Sequence, residues 1–521
     1  MKNAKYKMKK CTLYFVPCIL FLGSYFLPLA SIRAQSILFP PDYFFDVARQ
    51  KAIFTDTTTM VHSSMQPIIY KDVPPDTLKH IKPGQDLFFD KVFYDDLLKV
   101  KYIDKSSGKN RKFNLAINPV FNFSFGKDAD AVKKETYITN TRGVWIKGQI
   151  GEKFIFETSF FENQSNFPTY LAAYCNTYSV VPGQGRWKAF KKDGFDYAMS
   201  NGVVHYQPGK KFSVRLGTGK QKVGVGYRSI LLSDNGFNYP YLQFTASFFK
   251  QKVQYTQTYA LLMNLSDGGT RIPYGTERIF QKKAASFQQL SWQVNKKINI
   301  YLFQGLIWRA TDSNNVMHLN ALYVNPVIFT NLAAYGFNNS NHIIEGGGWE
   351  MKPFKKTSFY GQFMYDGSYL GKANLGVQAG LKLFDALHIK NLYLQGEYNY
   401  VSQHAYQDYN NPAQSYTQYN QLLTTPAAFS NEMVGLASYT YKKLFIQVKE
   451  NYSFGNNMSA QNLSYFDAKF GYMINPSYKA NIAIGTTFRT YENTLLPSNP
   501  QQMQLFYISF KTSLYNIYYD F

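Results

Sequence analysis

The sequence predicts an all-β fold, a transmembrane antiparallel up-and-down β-barrel of about 18 strands with a small helical N-terminal segment. Three observations predict it. From Phe113 onward apolar and polar residues alternate at period two, and the connections between the alternating runs switch between short and long. Downstream of residue 34, no stretch reaches the ~20 consecutive apolar residues that a spanning helix needs. A bilayer offers the backbone no water, so a chain that crosses it without such helices must close a barrel. Composition agrees. Hydrophobic residues make up 45% and aromatic residues 18%, yet the mean hydropathy is −0.31, as happens when polar and apolar residues alternate. The 43 tyrosines and 44 phenylalanines suit aromatic girdles at two membrane interfaces.

Residues 1–34 have the order of regions of a secretory signal peptide. Lys2, Lys5, Lys7, Lys9 and Lys10 precede the uncharged apolar stretch Leu13–Ala30, and Ile32-Arg33-Ala34 follows. Cleavage is expected after Ala34, and Pro17 and Pro28 argue against a retained anchor helix. Cys11 and Cys18 fall inside the signal, so only Cys175 of the three cysteines remains and no intramolecular disulfide can form. Six of the 56 basic residues and none of the 33 acids lie in residues 1–34, which leaves a net charge of +17. Such an excess on an exported protein points to polyanionic partners, with nucleic acid excluded by export.

Residues 35–110 lack alternation and gather prolines (Pro40, Pro41, Pro67, Pro74, Pro75, Pro83), which suggests a periplasmic or plug-like N-terminal segment. Two short helices are expected in it. One starts at Asp42 and runs to about Lys51. The other covers about 86–100, where Phe89, Phe93 and Leu97 recur at helical spacing. The barrel takes 111–521. Its candidate strands are 113–125, 143–150, 153–163, 195–207, 212–220, 240–249, 252–264, 283–295, 298–310, 342–352, 357–366, 373–384, 389–402, 431–441, 444–454, 463–474, 479–490 and 503–521. The short connections are turns such as Gly151-Glu152 and Lys442-Lys443; the long ones include 164–194, 221–239, 265–282, 311–341 and 403–430. Tight turns on one rim and long external loops on the other are what an up-and-down barrel requires. Lysine pairs recur in the turns, where they read as solvated rim residues.

The stretch Ser513–Phe521 places Tyr515, Ile517, Tyr519 and Phe521 on one face and Asn516, Tyr518 and Asp520 on the other. This aromatic ending resembles the closing strand of bacterial outer-membrane barrels. The resemblance implies that these four residues form a barrel-assembly signal read by the insertion machinery, and that the strand pairs with the one near Phe113.

Chemistry is sparse. The seven histidines show no metal-ligand spacing, no HExxH or CxxC occurs, and no cofactor is expected. The glycine-rich run Gly217–Gly226 lacks the ending of a phosphate loop. The expectation is a non-enzymatic protein. Two basic-aromatic clusters stand out in the loops: Arg186, Trp187, Lys188, Lys191 and Lys192, and then Lys220, Lys222, Tyr227 and Arg228. Aromatic rings beside Lys and Arg suit sugars bearing carboxylates, through stacking and charge-assisted hydrogen bonds. Acidic surface polysaccharide is one expected ligand, beside outer-membrane lipid and lipopolysaccharide; the alternative is that these cations pair with lipid phosphates or with loop acids such as Asp193 and Asp234.

The same region carries a second resemblance. Phe195-Asp-Tyr-Ala, a Gly202 strand, Leu216-Gly217, Gly224-x-Gly226-Tyr-Arg-Ser-x-Leu-Leu-Ser-Asp234 and Tyr239-Pro240 resemble the Wzi-type capsule-assembly barrels of Bacteroidetes-like bacteria, a group that includes gliding-associated RemB-like proteins. The specific part covers about 183–245; the remainder matches in length and layout. The resemblance implies a role in attaching surface polysaccharide at the outer membrane and transfers no individual ligand residue. A passive porin, or an accessory of gliding motility or protein secretion, stays open as an alternative.

Overall fold

Alternation along the chain becomes a wall with an apolar outer face and a polar inner one. The computed structural model describes residues 42–55, 61–68, 93, 95–104, 111–129, 136–267, 280–311, 323–337, 341–367, 372–424, 431–455, 461–493 and 501–521. The expected signal peptide lies outside them. Eighteen strands close a barrel. In chain order they are β1 Arg111–Asp128, β2 Thr136–Ile150, β3 Phe154–Ser165, β4 Gly194–Tyr206, β5 Phe212–Gly219, β6 Tyr239–Phe248, β7 Val253–Asp267, β8 Phe280–Asn295 and β9 Ile298–Arg309. They continue as β10 Asn341–Phe354, β11 Thr357–Asp366, β12 Asn374–Phe384, β13 Leu392–Val401, β14 Asn431–Tyr441, β15 Leu444–Phe454, β16 Gln461–Asn475, β17 Ala480–Asn493 and β18 Gln501–Thr512. Each pairs antiparallel with its sequence neighbours, so the eight short turns gather at one rim and the long loops at the other.

Closure joins the first and last strands of the wall and so removes their open edges. The outer half of β1 pairs with β18, from Asn122 opposite Lys511 to Asp128 opposite Leu505. Its inner half pairs with an additional strand, Leu98–Asp104, from Ile117 opposite Leu98 to Arg111 opposite Asp104. Within β18, Phe506, Ile508 and Phe510 are exposed while Ser509 between them is buried. On β13 the inward positions Tyr393, Gln395, Glu397 and Asn399 are buried. Apolar side chains outward and polar ones inward is the pattern that lipid imposes on a barrel.

Three expectations are corrected. The last strand ends at Thr512, and residues 513–521 form no strand. Tyr515, Ile517, Tyr519 and Phe521 are thus not part of a closing strand, and it is 505–511 that seal against β1. Asp520 and the tyrosine hydroxyls of this tail find polar partners only inside the barrel, which is why it turns inward. Of the expected helix 86–100, much lies outside the described residues, but Leu98–Val100 are strand. Leu98, Val100 and Tyr102 alternate outward, and the free edge of β1 takes them up. The expected external loop 221–239 folds into the lumen. Helix α1, Tyr43–Thr55, forms where the first helix is expected, with Asp42 accepting from Phe45 N at 3.3 Å as its cap.

Candidate functional site

Among the described residues, α1, residues 61–68, residues 220–238 and the tail 513–521 enter the barrel, and residues 405–424 reach in beside 220–238, where the Tyr406 hydroxyl donates to Ile230 O at 2.7 Å and the Lys283 amine of β8 donates to Ser415 O at 2.7 Å. Helix α1 lies near the short-turn rim, where Lys51 pairs with Asp385 at 2.6 Å and the Lys382 amine donates to Gln50 at 2.8 Å. Its Tyr43 hydroxyl reaches Gln395 on β13 at 2.8 Å, and Tyr43 N donates to Asn516 of the tail at 2.7 Å. Residues 61–68 run inward from the turn after β6. His62 bonds Gln251 O at 2.9 Å and Ser291 Oγ at 2.8 Å, and Met65-Gln66 pair as a two-residue strand with Lys222-Val223. That histidine–serine contact is buried on both sides and serves as a joint between plug and wall.

Residues 220–238 fill the centre. The glycines of the run 217–226 permit close approaches. Gly224 sits at φ +109°, and a Cβ on it would collide with the Gln362 side chain. A Cβ on Gly226 would stand 2.6 Å from Glu397 Oε2. That closeness lets the Glu397 carboxylate accept Tyr227 N at 2.8 Å and Arg228 N at 2.9 Å, together with the Tyr360 hydroxyl at 2.7 Å. Arg228, fully buried, pairs with Glu432 at 2.7 Å and with Asp520 of the tail at 3.3 Å; Lys449 lies 3.1 Å from the same Asp520. Burial would raise the Asp520 carboxyl, but Arg228 and Lys449 hold it down at about 2. Asp234 accepts the Tyr518 hydroxyl at 2.8 Å and Asn516 at 3.0 Å.

The tail climbs from the short-turn rim toward the long-loop rim. The Tyr515 hydroxyl meets Ser159 at 2.5 Å, the Tyr519 hydroxyl accepts from Gln184 at 2.7 Å, and the Phe521 ring lies 4.8 Å from that of Tyr174 on α2, Thr169–Tyr178. Of the four expected assembly residues only Ile517 is exposed, at 42%.

The two basic clusters separate. Lys220 and Lys222 are buried, their amines donating to Asp234 O at 3.0 Å and to the carbonyls of Gly226 and Tyr227 at 2.8 and 2.9 Å. Burial pushes the Lys220 amine down to about 8 even though Asp234 raises it. With Tyr227 and Arg228, these residues hold the plug rather than project into solvent. The physical reason is that each cation finds a carbonyl or carboxylate in the lumen that it lacks outside. The first cluster is exposed. It lies on the strand Gly185–Phe190, which pairs with the start of β4 through Trp187 opposite Tyr197 and Phe190 opposite Gly194. Arg186, Lys188, Lys191 and Lys192 point to solvent, and among the described residues none of them is in an ion pair. Arg186 lies over the Phe280 ring at 4.7 Å, and Trp187 is half-buried, its indole N–H donating to Cys175 O at 2.9 Å.

Sequence reasoning missed Glu397, Glu432, Lys449 and Asp520. A signal existed for the first three: each is an ionisable residue at the inward phase of a membrane strand, which is a costly place for charge without a purpose. Among the described residues no group of three His, Cys, Asp or Glu side chains could hold a metal ion.

No protein-family model and no curated protein matches the sequence. Among solved structures, the chain is similar to Wzi, an outer-membrane protein involved in group 1 capsule assembly in Escherichia coli and a carbohydrate-binding β-barrel. The identity is 10%, covering 92% of this chain and 100% of that one, with a TM-score of 0.54. It also matches Pseudomonas aeruginosa OccK5 (8% identity, 76% of this chain and 98% of that one, TM-score 0.41) and OprD from the same species (10%, 78% and 96%, 0.39). At such identities the likeness shows the fold alone: a barrel of the outer-membrane type.

Proposed function

We propose that this protein is a non-enzymatic outer-membrane barrel that assembles or attaches surface polysaccharide, holding acidic glycan on the exposed strand Gly185–Phe190 and the turn after it. The observation that carries the reading is the set of four solvent-facing cations, Arg186, Lys188, Lys191 and Lys192, with none of them in an ion pair among the described residues. A row of free cations on a rigid hairpin suits the repeating carboxylates of an acidic polymer. Two further points support it: the lumen is occupied by the chain's own segments, which suits an anchor better than a pore, and the fold is similar to that of a carbohydrate-binding barrel. In this reading residues 1–34 direct export, the insertion machinery places the barrel, and lipid and lipopolysaccharide surround its outer face.

The test is binding of a uronic-acid polymer to the purified barrel, read by gel shift against neutral dextran. The quadruple variant R186Q/K188Q/K191Q/K192Q should weaken binding by about tenfold or more, as loss of several charge-assisted contacts requires. Unchanged binding by that variant, or normal retention of surface polysaccharide after deletion of the gene, would overturn the reading. Passive conduction has one observation in its favour, a cavity left beside the tail, and planar-bilayer conductance of the intact protein separates it from an anchor.

A further inference from the structure

The plug fills the lumen unevenly. Between the tail and the wall formed by β1, β2 and β16–β18 a cavity of about 320 Å³ remains. Its position follows from the wall's small inward residues: Ser124 on β1, Thr139 and Thr141 on β2, Thr487 on β17 and Ser509 on β18 all line it. On β17 the next inward position is Gly485, over which the Tyr507 ring lies, because a Cβ there would stand 2.6 Å from that ring.

Three lysines enter this cavity from neighbouring strands, Lys449, Lys469 and Lys511. Their commitments differ. Lys449 is engaged by Asp520 at 3.1 Å. The one wall carboxylate at the cavity, Asp467, is already used by the Thr487 hydroxyl at 2.9 Å and the Tyr507 hydroxyl at 3.0 Å. Among the described residues Lys469 and Lys511 have no carboxylate within ion-pair distance; Lys469 lies 5.5 Å over the Phe44 ring, and Lys511 is within electrostatic reach of both other lysines and, with opposite sign, of Asp42 and Asp467, which line the same cavity. Neither acid touches the two amines, so among the described residues the Lys469 and Lys511 N–H donors line the cavity without a carboxylate on them, which suits an anionic group of a ligand. Elsewhere in this lumen, Arg228 is matched by Glu432 and Asp520.

We propose that this cavity is a binding site for a small hydroxylated carboxylate, a sugar acid being the representative. Lys469 and Lys511 take the carboxylate through charge-assisted hydrogen bonds, and the threonine and serine hydroxyls of β1, β2 and β18 take the ligand's hydroxyls. The site is separate from the exposed hairpin and does not rest on its role.

The test is isothermal titration of the full-length barrel, purified in detergent, with glucuronate, glucose and inorganic phosphate. Glucuronate should bind with one-to-one stoichiometry and at least about tenfold more tightly than glucose. K469Q and K511Q should each weaken it by about tenfold while the heat-modifiable gel migration of a closed barrel is kept, and R186Q/K188Q/K191Q/K192Q should leave it unchanged. On the unaltered protein, glucuronate should shield Lys469 and Lys511 from an amine-acylating reagent, as read by mass spectrometry; this arm needs no variant to fold. Absence of glucuronate binding, equal binding by K469Q and K511Q, or no shielding would each overturn the proposal. Phosphate binding as tightly as glucuronate would overturn the hydroxylated-carboxylate class.

Discussion

Arg228 is the residue whose removal most directly tests whether the lumenal segments act as a latched plug. Replacing it with Met keeps much of the side-chain volume but leaves Asp520 and Glu432 without their shared cation. Removing one partner of a buried pair costs about 3–5 kcal/mol, because the other charge stays desolvated. The geometry places this case at the lower end. Asp520 keeps Lys449 at 3.1 Å, and Glu432 keeps the amides of Asn451 at 2.8 Å and Asn399 at 3.0 Å. The guanidinium also lies 5.1 Å from the ring centroids of Tyr227 and Tyr518, contacts worth about 0.5–1 kcal/mol each. The expected weakening of plug docking is about 3 kcal/mol, or roughly a hundredfold in the docking equilibrium. The barrel itself should persist, since its ladders do not include Arg228. In planar bilayers R228M should raise the open fraction about a hundredfold, and a protease should cut residues 220–238 correspondingly faster. Neutralising the acid left without a cation, in R228M/E432Q, should recover much of the loss. R228M matching the wild-type protein in both assays, or R228M/E432Q as open as R228M, would refute this.

Three other outcomes are expected. Phe506, 53% exposed in the middle of β18, faces lipid, so Phe506→Arg should cost about 2–4 kcal/mol in urea unfolding from vesicles. Phe249→Arg, in a short turn at the rim, should cost about 0–1 kcal/mol, and equal costs would contradict a lipid-facing band. The Asp520 carboxyl is held at about 2 against an ordinary 3.8. Its contribution to docking is therefore complete above pH 3.8 and is lost as pH falls through 2, so protease resistance of the plug should be flat from pH 7 to 4; loosening centred near pH 5 would refute this. Gly224→Ala forces a side chain onto a backbone at φ +109° and against Gln362, and should speed cleavage of 220–238 while the closed-barrel gel migration is kept. Unchanged cleavage would show that the Gly224 N to Ser64 O bond does not pin this segment.

Much of the wall was legible because its determinants are local. Alternation at period two sets which side chains face lipid, and turn lengths set which rim they join. The eighteen strands follow from those two signals, and the starting residue of α1 follows from Pro41 and Asp42. The exposure of Arg186, Lys188, Lys191 and Lys192 was legible for the same reason: they sit on a short hairpin, and among the described residues none of them is in an ion pair. Lys220–Arg228 looked equivalent in sequence. Its partners, Glu397 and Glu432, lie some 170 and 204 residues away, and no local pattern reports them.

The tail shows where the division falls. By itself the sequence determined that residues 513–521 alternate aromatic and polar side chains, a pattern that fits a strand or a liner of a polar interior equally well. Period two says only that alternate residues face different surroundings. Which surroundings depends on closure: once β18 meets β1 through residues 505–511, the lumen offers Arg228 and Lys449 to Asp520 and Gln184 to Tyr519, whereas the inner half of β1 is already paired with Leu98–Asp104. With the edge of β1 taken up along both halves and buried charges awaiting a partner, the tail goes inside. That choice is made by contacts hundreds of residues apart, so only the tertiary structure decides it.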